Sequence, residues 1–145
     1  MDQFILTVRI SNSNAHYSND VASNGTLMTL FGDAITGLIG NLDHDESLLE
    51  RWDNAIFKLP IKPGDFLTIK ASITKKTKLK RYIELVAERI LKTSDEGTSS
   101  LRTCNEIVGS AMAVTIIPYS AYKRKNTLEK WNATFTSKRS YYTCK

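Results

Sequence analysis

From Leu27 onward the apolar positions recur as Leu27, Leu30, Phe31, Ala34, Ile35, Leu38, Ile39 and Leu42, the i, i+3, i+4 spacing that gathers one stripe on a helix. Ser23-Asn24-Gly25 just ahead offers a side-chain oxygen to cap the first turn. The spacing predicts a helix from about Gly25 to Leu42. Almost every third residue in it is apolar or small, as expected of a central helix covered on several sides. Before it, Gln3 to Arg9 alternates weakly around Phe4, Leu6 and Val8 and reads as a strand. The polar loop from Ser11 to Asn24 then carries two isolated larger groups, His16 and Tyr17.

After the acidic loop Asp43-His44-Asp45-Glu46 and an expected helical turn, the period changes to two. Trp52 to Pro60 places Ala55, Phe57 and Leu59 on one face. Pro63-Gly64-Asp65 signals a turn. Phe66 to Thr74 alternates Leu67, Ile69, Ala71 and Ile73 with polar residues, and Tyr82 to Lys92 does so with Ile83, Leu85 and Ala87. A polar loop, Thr93 to Thr103, leads to a last strand, about Asn105 to Ile117. It puts Ile107, Gly109, Ala111, Ala113 and Thr115 on one face, small enough for a helix or ligand to approach. Pro118 ends it, and the remaining tail shows neither period, which reads as a partner-dependent extension or a poorly ordered segment. One strand, a long helix and four antiparallel strands make an α+β domain whose sheet wraps one central helix. This is the order of a hotdog fold. The expected division is 1–118 for that domain and 119–145 for a basic C-terminal extension.

The 145 residues fit one domain, and 41% hydrophobic with 24% charged residues describes a folded globular chain. The longest apolar stretches, such as Ala111 to Ile117, fall short of the roughly 20 residues a membrane-spanning helix needs. Met1-Asp2-Gln3-Phe4 has no basic segment followed by an apolar run, so the expectation is a cytoplasmic protein without a secretion signal. The two cysteines, Cys104 and Cys144, form neither a disulfide framework nor a zinc ligand set. No metal site is expected.

Charge divides the chain unevenly. Residues 1–73 carry five Lys/Arg and nine Asp/Glu, whereas residues 74–145 carry fifteen and six. The basic residues gather as Lys75, Lys76, Lys78, Lys80 and Arg81, then as Lys123, Arg124, Lys125, Lys130, Lys138, Arg139 and Lys145. Such clusters suit phosphate, in a nucleic acid or a small molecule, or simply solvate a surface. Aromatic interleaving is confined to Tyr122, Trp131, Tyr141 and Tyr142 in the tail, which argues against nucleic acid as the partner.

Ala15-His16-Tyr17, followed by Phe31-Gly32-Asp33-Ala34-Ile35-Thr36, resembles the hotdog-fold β-aminoacyl-CoA ammonia lyases, a family that includes the β-alanyl-CoA and 3-aminobutyryl-CoA types. Ala55-Ile56-Phe57, Pro60 and Gly64-Asp65-Phe66 continue the resemblance, which spans roughly Arg9 to Pro118. Asn14, Asn24-Gly25 and Gly37 depart from the family pattern and remove two carboxylates. The resemblance implies an enzyme that removes ammonia from a β-aminoacyl thioester or adds it, with no metal or redox cofactor and coenzyme A only as part of the substrate. An acyl-CoA thioesterase and a non-catalytic binding protein are the alternatives.

The implied roles follow the chemistry. Amides of Gly25 and Thr26, at the positive end of the helix, are candidates to hold the thioester oxygen. Asp33 is the candidate base, with His16 or Tyr17 positioning the amino group or sharing the proton transfer. Each has a plainer reading: Asp33 paired with a basic residue of a partner subunit, His16 satisfied by backbone, Tyr17 packed on the helix start. Some hotdog thioesterases carry an acid seven positions after the helix-start glycine. That position here is Gly32, and Asp33 is turned about 100° from it, which weighs against simple hydrolysis. Arg81, Lys80 and Lys78 are the candidates for the coenzyme A phosphates. An exposed sheet edge and helix face imply a homodimer or a higher homo-oligomer, with the site between subunits.

Overall fold

A computed structural model describes residues 2–139, without the side chains of 131 and 134–139. Expectations placed on the side chains of Trp131, Lys138 and Arg139, and on Tyr141, Tyr142, Cys144 and Lys145, lie outside the described residues. Strand β1 (Gln3–Arg9) leads through two short 3-10 turns to helix α1 (Asn24–Asp43). Strands β2 (Leu48–Phe57), β3 (Phe66–Lys76), β4 (Lys80–Thr93) and β5 (Leu101–Ile116) follow, then helix α2 (Tyr119–Arg139). The strands form one antiparallel sheet in the order β1-β3-β4-β5-β2.

The predicted stripe is the buried face of α1. Leu27, Phe31, Ala34, Leu38 and Ile39 are fully or almost fully enclosed against Leu67, Ile69, Ala71, Ile83, Leu85 and Ala87 of β3 and β4. Burial of each large side chain contributes about 1.5–3 kcal/mol, so this one interface supplies most of the core. Where the chain turns into β3, Gly64 has φ +91°, a conformation costly for any residue with a Cβ. Gly109 on β5 serves closeness instead. A Cβ there would stand 2.6 Å from Leu27 Cδ2 and 2.9 Å from the Ile56 carbonyl oxygen, so glycine lets β5 meet both the start of α1 and β2. Gly109→Ala is expected to lower the unfolding free energy by about 1–3 kcal/mol, read by urea denaturation; an unchanged midpoint would show that the α1 start can move aside freely.

Four expectations need correction. No helical turn lies between α1 and β2. His44 ends α1 with φ 56°, and the Asp45 carboxylate accepts the Ser47 N–H at 2.8 Å, a local bond that competes with helix. β2 therefore begins at Leu48 instead of Trp52. Second, β2 ends at Phe57, so Leu59 lies beyond the strand and shares no strand face with Ala55 and Phe57. Third, Val108 is buried and Ile107 exposed: the ladder passes from Ala87↔Gly109 to Glu88↔Ile107, and the extra residue reverses the facing of the strand. Fourth, the segment after Pro118 is helical. Its first turns are held by buried Ala121 and by ion pairs from Lys125 to Asp43 and Arg124 to Asp45, and charge pairing leaves no apolar period to read.

Candidate active site

The helix start and the preceding loop form one hydrogen-bonded unit. Ser23 caps α1, its Oγ accepting the Gly25 N–H at 3.1 Å, while its own N–H donates to the Asn14 carbonyl at 3.2 Å. Ala15 pairs with Ala22, and the N–H groups of His16 and Tyr17 both donate to the Val21 carbonyl, at 3.0 and 2.9 Å. Asn19 and Asp20 turn the tip with φ near 60°. Ala22 N–H then donates to the Ile61 carbonyl at 2.7 Å, fastening the loop to the β2–β3 connection.

That connection is fixed from beneath by charge. Arg89 donates through Nη1 to the Pro60 carbonyl (2.8 Å) and to Asp65 (3.1 Å), through Nε to Glu106 (2.7 Å), and also pairs with Glu106 through Nη2. Burial alone would lower the Arg89 pKa, but bonds to Glu106 and Asp65 outweigh it and hold the guanidinium above its usual value. Glu106 is held below the ordinary carboxylate range by Lys92 and Arg89. The loop carrying His16 and Tyr17 is thus seated on a charge network that local sequence gives no means of reading.

Between β1, this loop and α1 lies a cavity of about 270 Å³, lined by Val8, Ile10, Asn14, Ser23, Thr26 and Leu30 among others. Thr26 reaches it directly. His16 and Tyr17 are exposed beside each other, rings edge to face with centroids 4.6 Å apart. The two helix-start amides already have partners: Gly25 the Ser23 hydroxyl and Thr26 the Ser23 carbonyl, at 2.9 Å. Only the first partner is a side chain that can rotate away. Asp33 is exposed on α1, so burial of its carboxyl is not supplied by the chain's own fold. It stands eight residues beyond Gly25, about 12 Å along the axis.

The phosphate candidates lie elsewhere. Arg81 is buried, its Nε and Nη2 donating to the two oxygens of Asp43 (2.9 and 3.0 Å) and its Nη1 to the carbonyls of Thr77 and Lys80. This guanidinium is committed inside the protein and not presented to a ligand, which removes it from the expected phosphate set. Lys80 pairs with Glu50, and Lys78 lies over the rings of Tyr119 and Tyr122. All three sit at the Asp43 end of α1, about 27 Å of helix from Gly25. Asp43 accepts a further bond from Lys125 at 2.8 Å. Burial would raise its pKa, yet Arg81 and Lys125 together hold it below the usual value. Sequence reasoning missed the pairing of Asp43 with Arg81 and Lys125, whose partners are tertiary.

Among the described residues no helix is long and apolar enough to cross a membrane. No protein-family model matches the chain. It is similar to the 3-aminobutyryl-CoA ammonia lyase of Acetoanaerobium sticklandii, 30% identical over 87 residues that make up 60% of this chain and 69% of that enzyme. Among solved structures it is similar to the β-alanyl-CoA:ammonia lyase of Clostridium propionicum (TM-score 0.77, 20% identity, 82% of this chain and 87% of that one). A hexameric hotdog-fold thioesterase of Campylobacter jejuni aligns with TM-score 0.64 and 14% identity, over 83% of this chain and 94% of its own. The five-stranded sheet wrapped on α1 is accordingly a hotdog fold, and with that extent of identity the chain belongs to the family of the 3-aminobutyryl-CoA ammonia lyase.

Proposed function

We propose that this protein eliminates ammonia from a short β-aminoacyl-CoA thioester, or adds it to the enoyl thioester. The observation that carries the reading is the 30% identity to a 3-aminobutyryl-CoA ammonia lyase over 69% of that enzyme, and the capped helix start beside a cavity supports it. The thioester oxygen takes the Gly25 N–H as Ser23 Oγ turns aside, and the first-turn dipole stabilises the enolate that forms. A carboxylate removes the α-hydrogen, the C–N electrons leave with nitrogen, and the abstracted proton returns to the departing ammonia. His16 and Tyr17, on the loop that leads into the helix start, position the amino group.

Asp33 fills the role of base only across a subunit boundary. A carbonyl oxygen and its α-carbon are neighbours, so 12 Å of helix separates Asp33 from a thioester held at Gly25 of the same chain. A homodimer joined along β2 answers this. The edge strand exposes Leu48, Leu49, Ile56 and Phe57, beside exposed Met112 and Ile107 of β5, more apolar surface than a free edge normally tolerates. Antiparallel pairing of two β2 strands runs the two α1 helices in opposite directions, bringing Asp33 of one copy towards Gly25 of the other.

The test is direct. Incubation with an enoyl-CoA and ammonium is expected to consume the conjugated thioester absorbance. Release of free thiol from saturated acyl-CoA esters, with no amination, would replace the lyase by the thioesterase reading.

A further inference from the structure

The tip of the β3–β4 hairpin and the first turns of α2 share a feature outside the acyl site. Most basic side chains here are neutralised by a carboxylate: Lys76 by Asp2, Lys80 by Glu50, Arg81 and Lys125 by Asp43, Arg124 by Asp45. Lys75, Lys78 and Lys123 make no salt bridge among the described residues. Each instead lies over a tyrosine ring. Lys75 Nζ is 5.2 Å from the Tyr82 centroid, Lys78 Nζ is 5.4 Å from those of both Tyr119 and Tyr122, and Lys123 Nζ is 4.9 Å from that of Tyr119.

The scaffold beneath is firm. Thr77 and Lys80 close the hairpin by a mutual pair of bonds, and the Ile117 N–H donates to the Leu79 carbonyl at 2.8 Å, which brings Pro118 and Tyr119 against the tip. Buried Ala121 and the Lys125–Asp43 pair hold the helix that carries Tyr122 and Lys123. The Tyr119 and Tyr122 rings are nearly parallel, 20° apart in plane and 6.2 Å between centroids, and Tyr119 is 53% exposed.

We propose that Tyr119, Tyr122, Lys78 and Lys123 form a nucleoside-phosphate site, a flat base stacking on the tyrosines and a phosphate bridging the two ammonium groups. A charge-assisted bond to phosphate is stronger than an exposed cation–π contact, so the lysines gain by exchanging a ring face for an oxygen. The freed face then stacks a base. A bare phosphate or an acidic peptide would leave the rings unused. A long polynucleotide needs a run of available cations, whereas Lys76, Lys80, Arg124 and Lys125 around the patch are spent on carboxylates, leaving Lys75 beside it. A single nucleotide needs no such run. Two sources present that chemistry, a free nucleotide and the nucleotide end of a coenzyme A ester; the second rests on the acyl-CoA reading above.

Calorimetric titration of the full chain with adenosine 3′,5′-bisphosphate and with ADP tests the site. Binding is expected, weakened about tenfold by Lys78→Gln and by Tyr119→Ala and unaffected by Lys76→Gln. Lys78→Gln, at an exposed tip, keeps the test valid if Tyr119→Ala fails to fold. A rise in KM for acyl-CoA with KM for the acyl-pantetheine unchanged identifies the substrate's own nucleotide. Lost ADP binding with both constants unchanged identifies a free nucleotide, and this arm reads the site even in a chain without lyase activity. Absence of binding by both probes, equal binding by the Lys78→Gln chain, or tighter binding of a single-stranded oligonucleotide overturns the proposal.

Discussion

Exchange of Asp33 for Asn is expected to slow enoyl-CoA amination by about 10²–10⁴-fold, the usual loss when a general base is removed, with no change in the unfolding midpoint. The side chain is exposed on α1 and makes no hydrogen bond or ion pair among the described residues, and isosteric changes at such positions usually alter stability by less than about 0.5 kcal/mol. The separation of the two readouts matters. A variant that is stable and inactive makes Asp33 a catalytic group, while one as active as the parent removes it from the chemistry. The subunit boundary is tested by mixing. If Asp33 acts on a thioester held by the other copy, then Asp33→Asn and His16→Ala chains, each inactive alone, regain activity after co-refolding. Failure to complement, with both variants dimeric, would return all the catalytic groups to one chain.

Asp43→Asn is expected to cost about 3–5 kcal/mol, because it leaves Arg81 buried without its counter-charge. Asp43 is 2% exposed and accepts from Arg81 through both oxygens and from Lys125. The same pair predicts a pH dependence. Arg81 and Lys125 keep the folded carboxylate charged at pH values where the unfolded chain, with an ordinary value near 3.9, takes up a proton. Its stabilisation is therefore complete above roughly pH 5 and is lost as pH falls through the lowered folded value. Urea denaturation at pH 7 and across the acid range reads both effects: the variant should be weaker at pH 7 and its stability flatter on the acid side. An equally steep acid slope in the variant would show that other carboxylates govern acid unfolding.

Legibility in the sequence followed the range of the interactions. The helix over α1, its cap at Ser23, the turn at Gly64, and the facing of β3 and β4 were all readable, since each depends on residues a few positions apart. So was the ordered set Ala15-His16-Tyr17 and Phe31-Gly32-Asp33, which carried the family. The bulge at Val108 was not, because it arises only when β5 is laid against β4 and one residue is left over. Nor was the helix after Pro118, whose hold on the body is buried Ala121 and two ion pairs at and just beyond the far end of α1.

The phosphate candidates show the same boundary most clearly. Lys78, Lys80 and Arg81 are near neighbours in the chain and looked like one cluster, yet folding gives each a different partner: two tyrosine rings, a β2 glutamate and a buried aspartate. Spacing along the chain determined which residues share a strand or a helix face, through the fixed geometry of the backbone. Which opposite charge or ring each side chain meets was decided only by tertiary structure, because those partners lie as many as 82 residues away and no local periodicity encodes them.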